Sequence, residues 1–144
     1  MAIAVSICAL ILASCGTTGA PTPTPGGYEN FIAGLVQRGA TVTQQVAGDA
    51  GCTGVALHQN AARFDVTFEH EAGDYSIYFF AWRRASDYDD AAASFDRCVS
   101  AAKRLSSGTT FTVFAAPPLR VYGGDWPETL AAAIEISLNE ASGQ

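Results

Sequence analysis

The sequence has few charged residues and almost no lysine. Charged side chains make up 15% of the 144 residues, and Lys103 is the only lysine among eight cationic residues. The formal net charge is -6. A chain with this acidic balance and no lysine-rich run lacks the electrostatic basis for non-specific binding to nucleic acid or to an anionic lipid surface. We therefore expect no nucleic-acid partner.

Several catalytic motifs are also missing. The chain contains no GxSxG, no HExxH, no glycine-rich phosphate loop and no CxxC pair. Its two histidines are His58 and His70. Glu69, His70 and Glu71 carry side chains that bind metals, but on a strand His70 points away from the two glutamates, so they do not close a site by themselves. We predict no catalytic residue, no metal and no cofactor.

No apolar run reaches the length of a transmembrane helix. A spanning helix needs about 20 apolar residues, whereas the uncharged run 2–13 has about a dozen. A run of this length is typical of the hydrophobic region of a secretory signal peptide. The lysine or arginine that usually precedes such a region is missing, and a start codon placed too far downstream would explain this.

The end of this run resembles the lipobox of bacterial lipoproteins. In Leu12-Ala13-Ser14-Cys15, a branched aliphatic residue and two small residues precede a cysteine. The resemblance implies a lipoprotein signal peptide over residues 1–14, cleavage after Ser14, and attachment of diacylglycerol and an N-acyl chain to Cys15. Several acyl chains give firm anchoring, since each buried CH₂ contributes ~0.8 kcal/mol. The expected location is the cell membrane, with the protein facing the extracytoplasmic side.

Residues 15–27 are predicted to be a lipidated cysteine followed by a tether. Pro21, Pro23 and Pro25 alternate with threonine and alanine, which favours an extended spacer between the membrane and the domain. Two alternatives stay open for the amino-terminal run. It could be a buried core segment with an incidental cysteine, or an ordinary signal peptide that is cleaved elsewhere.

Residues 28–144 are predicted to form a single α+β domain. Alternating apolar residues over 63–70 and the apolar segment 75–82 predict two strands of a hairpin, and an apolar stripe predicts a helix over 86–105, capped by Ser86. Two further helices are expected, one over 28–38 and a last one that ends at about residue 139. Strands are expected over 40–46, 109–115 and 119–122, with an uncertain strand over 55–58. We expect a small two-layer domain, with an antiparallel sheet of about five strands packed by two or three helices.

The four cysteines divide into two groups. Cys8 would be removed with the signal peptide and Cys15 would be lipidated, which leaves Cys52 and Cys98 in an exported domain. An even number of remaining cysteines in a domain outside the cytosol predicts a disulfide between them. The alternative is that Cys52, flanked by glycines in GCTG, is a nucleophile with His58 or His70 as its base, and a closed disulfide would exclude this.

The predicted strand 75–82 is apolar on both faces. A central strand that is covered on both sides would explain this pattern. The other explanation is an exposed interaction surface, of the kind that marks a protein interface. That surface would consist of Tyr78, Phe80 and Trp82.

The segments YSIYFFAW and FTVFAAPPLRVYGGDWPETLAAAI resemble small, uncharacterised secreted lipoproteins of bacteria. The resemblance implies no activity and no site residues. We expect a membrane-anchored, non-enzymatic lipoprotein that binds a protein or an envelope component through one face of its sheet. The alternatives are a small hydrolase and a carrier of a small apolar ligand, held in a cavity lined by Phe79, Phe95 and Phe111.

Overall fold

The computed structural model describes residues 26–143. Its helices and strands follow in the order α1 (Gly26–Gln37), β1 (Ala40–Ala47), α2 (Val55–His58), β2 (Ala61–Phe68), β3 (Tyr75–Ala81), α3 (Ala85–Asp90), α4 (Ala92–Leu105), β4 (Phe111–Ala116), β5 (Leu119–Gly124) and α5 (Glu128–Ser142). The α+β class is therefore confirmed. Within the described range, every helix is too short or too polar to cross a bilayer. The predicted signal peptide and Cys15 lie outside this range, and Gly26 and Gly27 belong to α1 rather than to the tether.

The five strands form one antiparallel sheet in the order β1-β2-β3-β5-β4. The predicted hairpin of β2 and β3 is confirmed, with Val66 opposite Tyr75 at its turn. Strands β4 and β5 form a second hairpin, in which Ala116 pairs with Leu119 across two prolines. Strand β3 is thus the central strand, and β1 and β4 are the two edges.

Helices cover both faces of the sheet, so the domain has three layers rather than the two that we predicted. Successive side chains of β3 point to opposite faces, and both sets are apolar, so each face needs its own cover. Helices α1 and α5 cover the face that contains Ile77 and Phe79. Helices α2, α3 and α4 cover the face that contains Phe80 and Trp82.

The contact between α1 and α5 depends on small side chains. A Cβ atom at Gly34 would lie 2.9 Å from the Ser137 hydroxyl oxygen, so a glycine lets the two helices approach closely. At the rim of this contact, Arg38 forms an ion pair of 2.6 Å with Glu140. The two helices, far apart in sequence, therefore act as one cover for the sheet.

Residues 55–58 form one helical turn, α2, and the prediction of a strand there is wrong. A segment of four residues is too short for its periodicity to separate a strand from a helix. Leu57 alone is buried among the four, and it fastens the turn to the core below α4.

The predicted helix 86–105 exists, but it is divided at Ala91 into α3 and α4. It also begins one residue earlier than predicted. Arg84 takes the N-cap position and makes no side-chain capping hydrogen bond, so the predicted capping role of Ser86 is wrong.

Candidate functional site

A disulfide joins Cys52 to Cys98, as predicted. Their Cα atoms lie 5.4 Å apart, although 46 positions separate them in sequence. The bond ties the loop 48–54, called here the disulfide loop, to the buried side of α4. Next to it, the His58 ring nitrogen Nε2 lies 3.3 Å from the Cys52 carbonyl oxygen and is placed to donate a hydrogen bond to it. Because both sulfurs are bonded, Cys52 has no thiol, and this excludes the predicted alternative of a cysteine nucleophile.

The disulfide loop packs closely on two stacked tyrosines. The rings of Tyr78 and Tyr122 lie 4.8 Å apart. Gly51 has a φ of 66°, and a Cβ atom there would lie 2.6 Å from a Tyr78 ring carbon and would also strike the Tyr122 hydroxyl. Only glycine satisfies both the left-handed backbone and this close approach. The flanking glycine in GCTG therefore serves the loop's geometry.

The Tyr122 hydroxyl is fully buried beside the disulfide. It donates a hydrogen bond of 2.6 Å to the Ala50 carbonyl oxygen, and the Cys98 sulfur lies 3.8 Å away. Burial raises the pKa of Tyr122 far above its ordinary value of 10.0, and Tyr78 and Asp49 act in the same direction. The hydroxyl is therefore a permanent donor that holds the loop in place.

An ion pair fixes the other side of the disulfide loop. Arg63 on β2 lies 2.9 Å from the Asp49 carboxylate and 3.3 Å from that of Asp65. Asp49 also accepts a hydrogen bond of 2.9 Å from the Gly51 amide. The loop is thus held by a covalent bond, a buried hydroxyl and a half-exposed salt bridge.

The aromatic residues Tyr78, Phe80 and Trp82 do not form an exposed interaction surface, and that alternative is wrong. Helices α3 and α4 cover Phe80 and Trp82, which are 0% and 4% exposed, and the disulfide loop packs on the half-buried ring of Tyr78. Phe95 of α4 meets Phe80 edge-to-face at 5.2 Å. The apolar stripe of α4 needs an apolar surface to bury itself, and this side of β3 supplies it. The pattern therefore reflects a central strand.

Arg120 of β5 lies among these aromatic rings, and sequence analysis did not identify it. Its guanidinium carbon is 4.2 Å from the centre of the Tyr88 ring, 5.1 Å from that of Phe95 and 5.9 Å from that of Trp82. Its Nε atom is buried without a hydrogen-bond partner. The ring faces, which carry partial negative charge, compensate the cation. The sequence signal that could have identified Arg120 was an arginine placed among the apolar residues of LRVY.

A groove runs between α2 and the helices α3 and α4, and we call it the α2–α4 groove. One part has a volume of about 260 Å³ and is lined by Cys52, Thr53, Gly54, Val55, Ala56, Leu57, Ser94, Arg97, Cys98 and Ala101. The adjoining part has about 620 Å³ and is lined by Ala56, Leu57, Gln59, Asn60, Trp82, Arg83, Asp87, Asp90, Ala91 and Ser94. The groove combines an apolar floor with amides and charges of both signs, so it suits a ligand with both polar and apolar groups.

The other predicted candidates do not come together. His70 is exposed in the turn after β2, and Glu71 accepts a hydrogen bond of 2.6 Å from Thr129 of α5. Within residues 26–143, no group of three histidine, cysteine, aspartate or glutamate residues is arranged to hold a metal ion. Phe79 lies on the opposite face of the sheet from Phe95 and Phe111, so the predicted apolar cavity does not exist.

Comparison of the chain with protein-family models, with curated proteins and with solved structures gave no match. Cys15 and the lipobox stay a prediction, because they lie outside the described residues. The α2–α4 groove and the disulfide at its end are the candidate site that the folded domain offers.

Proposed function

We propose that this chain is a lipid-anchored extracytoplasmic protein whose folded domain binds a protein or another component of the cell envelope. The observation that carries the proposal is the Cys52–Cys98 disulfide. Disulfides of this kind form and persist outside the reducing cytosol. The lipobox resemblance then supplies Cys15 as the point of attachment to the membrane.

We assign the binding role to the α2–α4 groove rather than to a face of the sheet. Both faces of the sheet are covered by helices, so neither is open to a partner. The disulfide fixes the loop before α2 against α4, and a preorganised groove loses less conformational entropy when it binds. Val55, at the rim of the groove, is 78% exposed and available for contact.

The anchor is tested by the intact mass of the protein from its native membrane fraction, measured with and without reductant. We expect residues 15–144 plus acyl groups, with a gain of two hydrogens on reduction. The variant Cys15→Ala is the control, and it should lose the acyl mass and leave the membrane fraction. An unmodified amino terminus in the wild-type protein would overturn the anchor, and free thiols before reduction would overturn the assigned compartment.

The binding surface is tested by crosslinking in cells with a photoreactive residue at Val55. The matched control is the same residue at Val36, which is 53% exposed on α1, on the far side of the domain. We expect a discrete crosslinked partner from Val55 and none from Val36. Equal products from both positions would mean that the groove is not the binding surface.

A further inference from the structure

The two edges of the sheet differ in how they are protected from pairing with another strand. Strand β1 has a bulge between Val42 and Gln44, and its Gln44 and Gln45 are exposed. Bulges and polar residues are the usual means of blunting an edge strand. Strand β4 pairs with β5 in unbroken register over all six residues. It contains no charge, no proline and no bulge, so it has none of these protections.

The register shows which backbone groups of β4 face outward. The Asp125 amide donates to the Thr110 carbonyl, and the Trp82 amide donates to the Pro118 carbonyl. In an antiparallel ladder, successive residues of a strand direct their backbone amides and carbonyls to opposite sides. Because the Thr110 carbonyl bonds to Asp125 beyond β5, the even-numbered residues of β4 direct these groups toward β5. The amides and carbonyls of Phe111, Val113 and Ala115 therefore point to the open edge, and within residues 26–143 no backbone hydrogen bond of a turn, loop or cap involves them.

The side chains of these outward-facing residues form an apolar strip. Phe111, Val113 and Ala115 share the face of β4 next to α4, and Val113 is 41% exposed. The strip lies inside residues 105–119, a stretch without a single charged side chain in a chain of net charge -6. The net negative charge opposes the approach of a second copy, and the β4 edge adds no charge to that repulsion.

We propose that the β4 edge binds the β4 edge of a second copy of this chain in an antiparallel, two-fold symmetric pair. Centring the pair on Val113 places each outward amide opposite an outward carbonyl of the other copy. Phe111 then faces Ala115 of the second copy, so a large side chain meets a small one. The two five-stranded sheets become one continuous sheet, and the contact is self-complementary, as a two-fold interface requires.

Sedimentation velocity of the full chain tests this pairing, in a density-matched detergent with micelles in excess over protein. We expect a dimer whose dissociation constant rises about tenfold or more in Val113→Lys, since two like charges would then face each other across the axis. The matched control Val36→Lys places the same charge on α1 and should remain dimeric. A monomeric wild-type protein, or a dimer of unchanged affinity in Val113→Lys, would overturn the proposal.

Amide hydrogen exchange tests the same pairing without a substitution. In the dimer, the amides of Phe111, Val113 and Ala115 should exchange slowly, and they should become fast on dilution to monomer. Fast exchange at these positions in a dimeric sample would place the contact elsewhere and overturn the pairing of β4. The inference does not depend on the lipid anchor or on the α2–α4 groove.

Discussion

The face of the sheet under α1 and α5 is held by apolar side chains, whereas the face under α4 adds a disulfide, a buried tyrosine hydroxyl and an arginine. On the first face, the rings of Phe31 and Phe79 stack at 4.9 Å in a cluster of apolar residues, and Ser137 is buried between α1 and α5. On the second face, Cys98, Tyr122 and Arg120 lie within or beside the core.

The difference reflects what each face must hold. Helices α1 and α5 contact each other, so burial of their apolar surfaces is enough to keep them on the sheet. Helix α4 must also hold the disulfide loop, which consists largely of polar and glycine residues and has few apolar side chains to bury. Directional and covalent bonds replace hydrophobic burial at that point. The first face should therefore respond most to the loss of volume, and the second to the loss of particular bonds.

The largest effect is expected from Phe79→Ala on the first face. Phe79 is buried and its ring contacts those of Tyr28, Phe31 and Phe64. The cavity and the lost aromatic pairs should lower the free energy of unfolding by about 5 kcal/mol, measured by urea denaturation. The control Ile136→Ala, on the exposed side of α5, should change it by less than about 0.5 kcal/mol. A similar loss in both variants would contradict the assignment of Phe79 to the core.

The next effect is expected from the double variant Cys52→Ala with Cys98→Ala. Opening a loop of 46 positions should cost about 4 kcal/mol in the chain-entropy account. In this variant, the rate of amide hydrogen exchange should increase more in α4 than in α5, because only the face of the sheet under α4 depends on the disulfide. Equal loss of protection in both helices would show that the two faces unfold as one unit.

A smaller effect is expected from Tyr122→Phe. The substitution keeps the ring but leaves the buried Ala50 carbonyl without its donor, so the free energy of unfolding should fall by about 1–3 kcal/mol. Tyr75→Phe is the control, since its hydroxyl bonds the Ala72 carbonyl at the exposed surface. If the two variants lost equal stability, the hydroxyl of Tyr122 would have no special role on the α4 face.

The smallest effect concerns alkaline pH. The pKa of Tyr122 is raised in the folded state, so above pH 10 the unfolded chain loses this proton and the folded chain keeps it. Unfolding is then favoured as the pH rises, and the free energy of unfolding should fall by about 0.7 kcal/mol between about pH 9.5 and about pH 10.5 from this group. Urea denaturation of Tyr122→Phe over the same range should show a shallower fall, and an unchanged slope would contradict the burial of the hydroxyl.

Much of the fold could be predicted because its periodicity is strong. The apolar stripe around Phe95 and Cys98 predicts α4. The two-sided apolar pattern of β3 predicts a strand, with a covered central position as one of its two explanations. Periodicity failed where a segment was short, as at 55–58, and at the ends of helices, as at Ser86. The number of layers was wrong because a pattern shows that a face is buried but does not show which element buries it.

The candidate site was predictable only in its covalent part. The bond between Cys52 and Cys98 followed from the number of cysteines once the lipobox resemblance had set Cys8 and Cys15 aside. The α2–α4 groove, the aromatic cage of Arg120 and the hydrogen bond of Tyr122 join residues that are distant in sequence, so no local pattern contains them.

The sequence by itself determined the class of the fold, the main strands and helices and the disulfide. The fold class and the elements depend on local periodicity, and the disulfide depends on the number of cysteines left after the lipobox resemblance sets Cys8 and Cys15 aside. Only the tertiary structure decided which helices cover which face, that Phe80 and Trp82 are buried, and that β4 is an open edge. These depend on the order of the strands in the sheet, and that order is fixed by how the whole set of apolar surfaces can be buried at once.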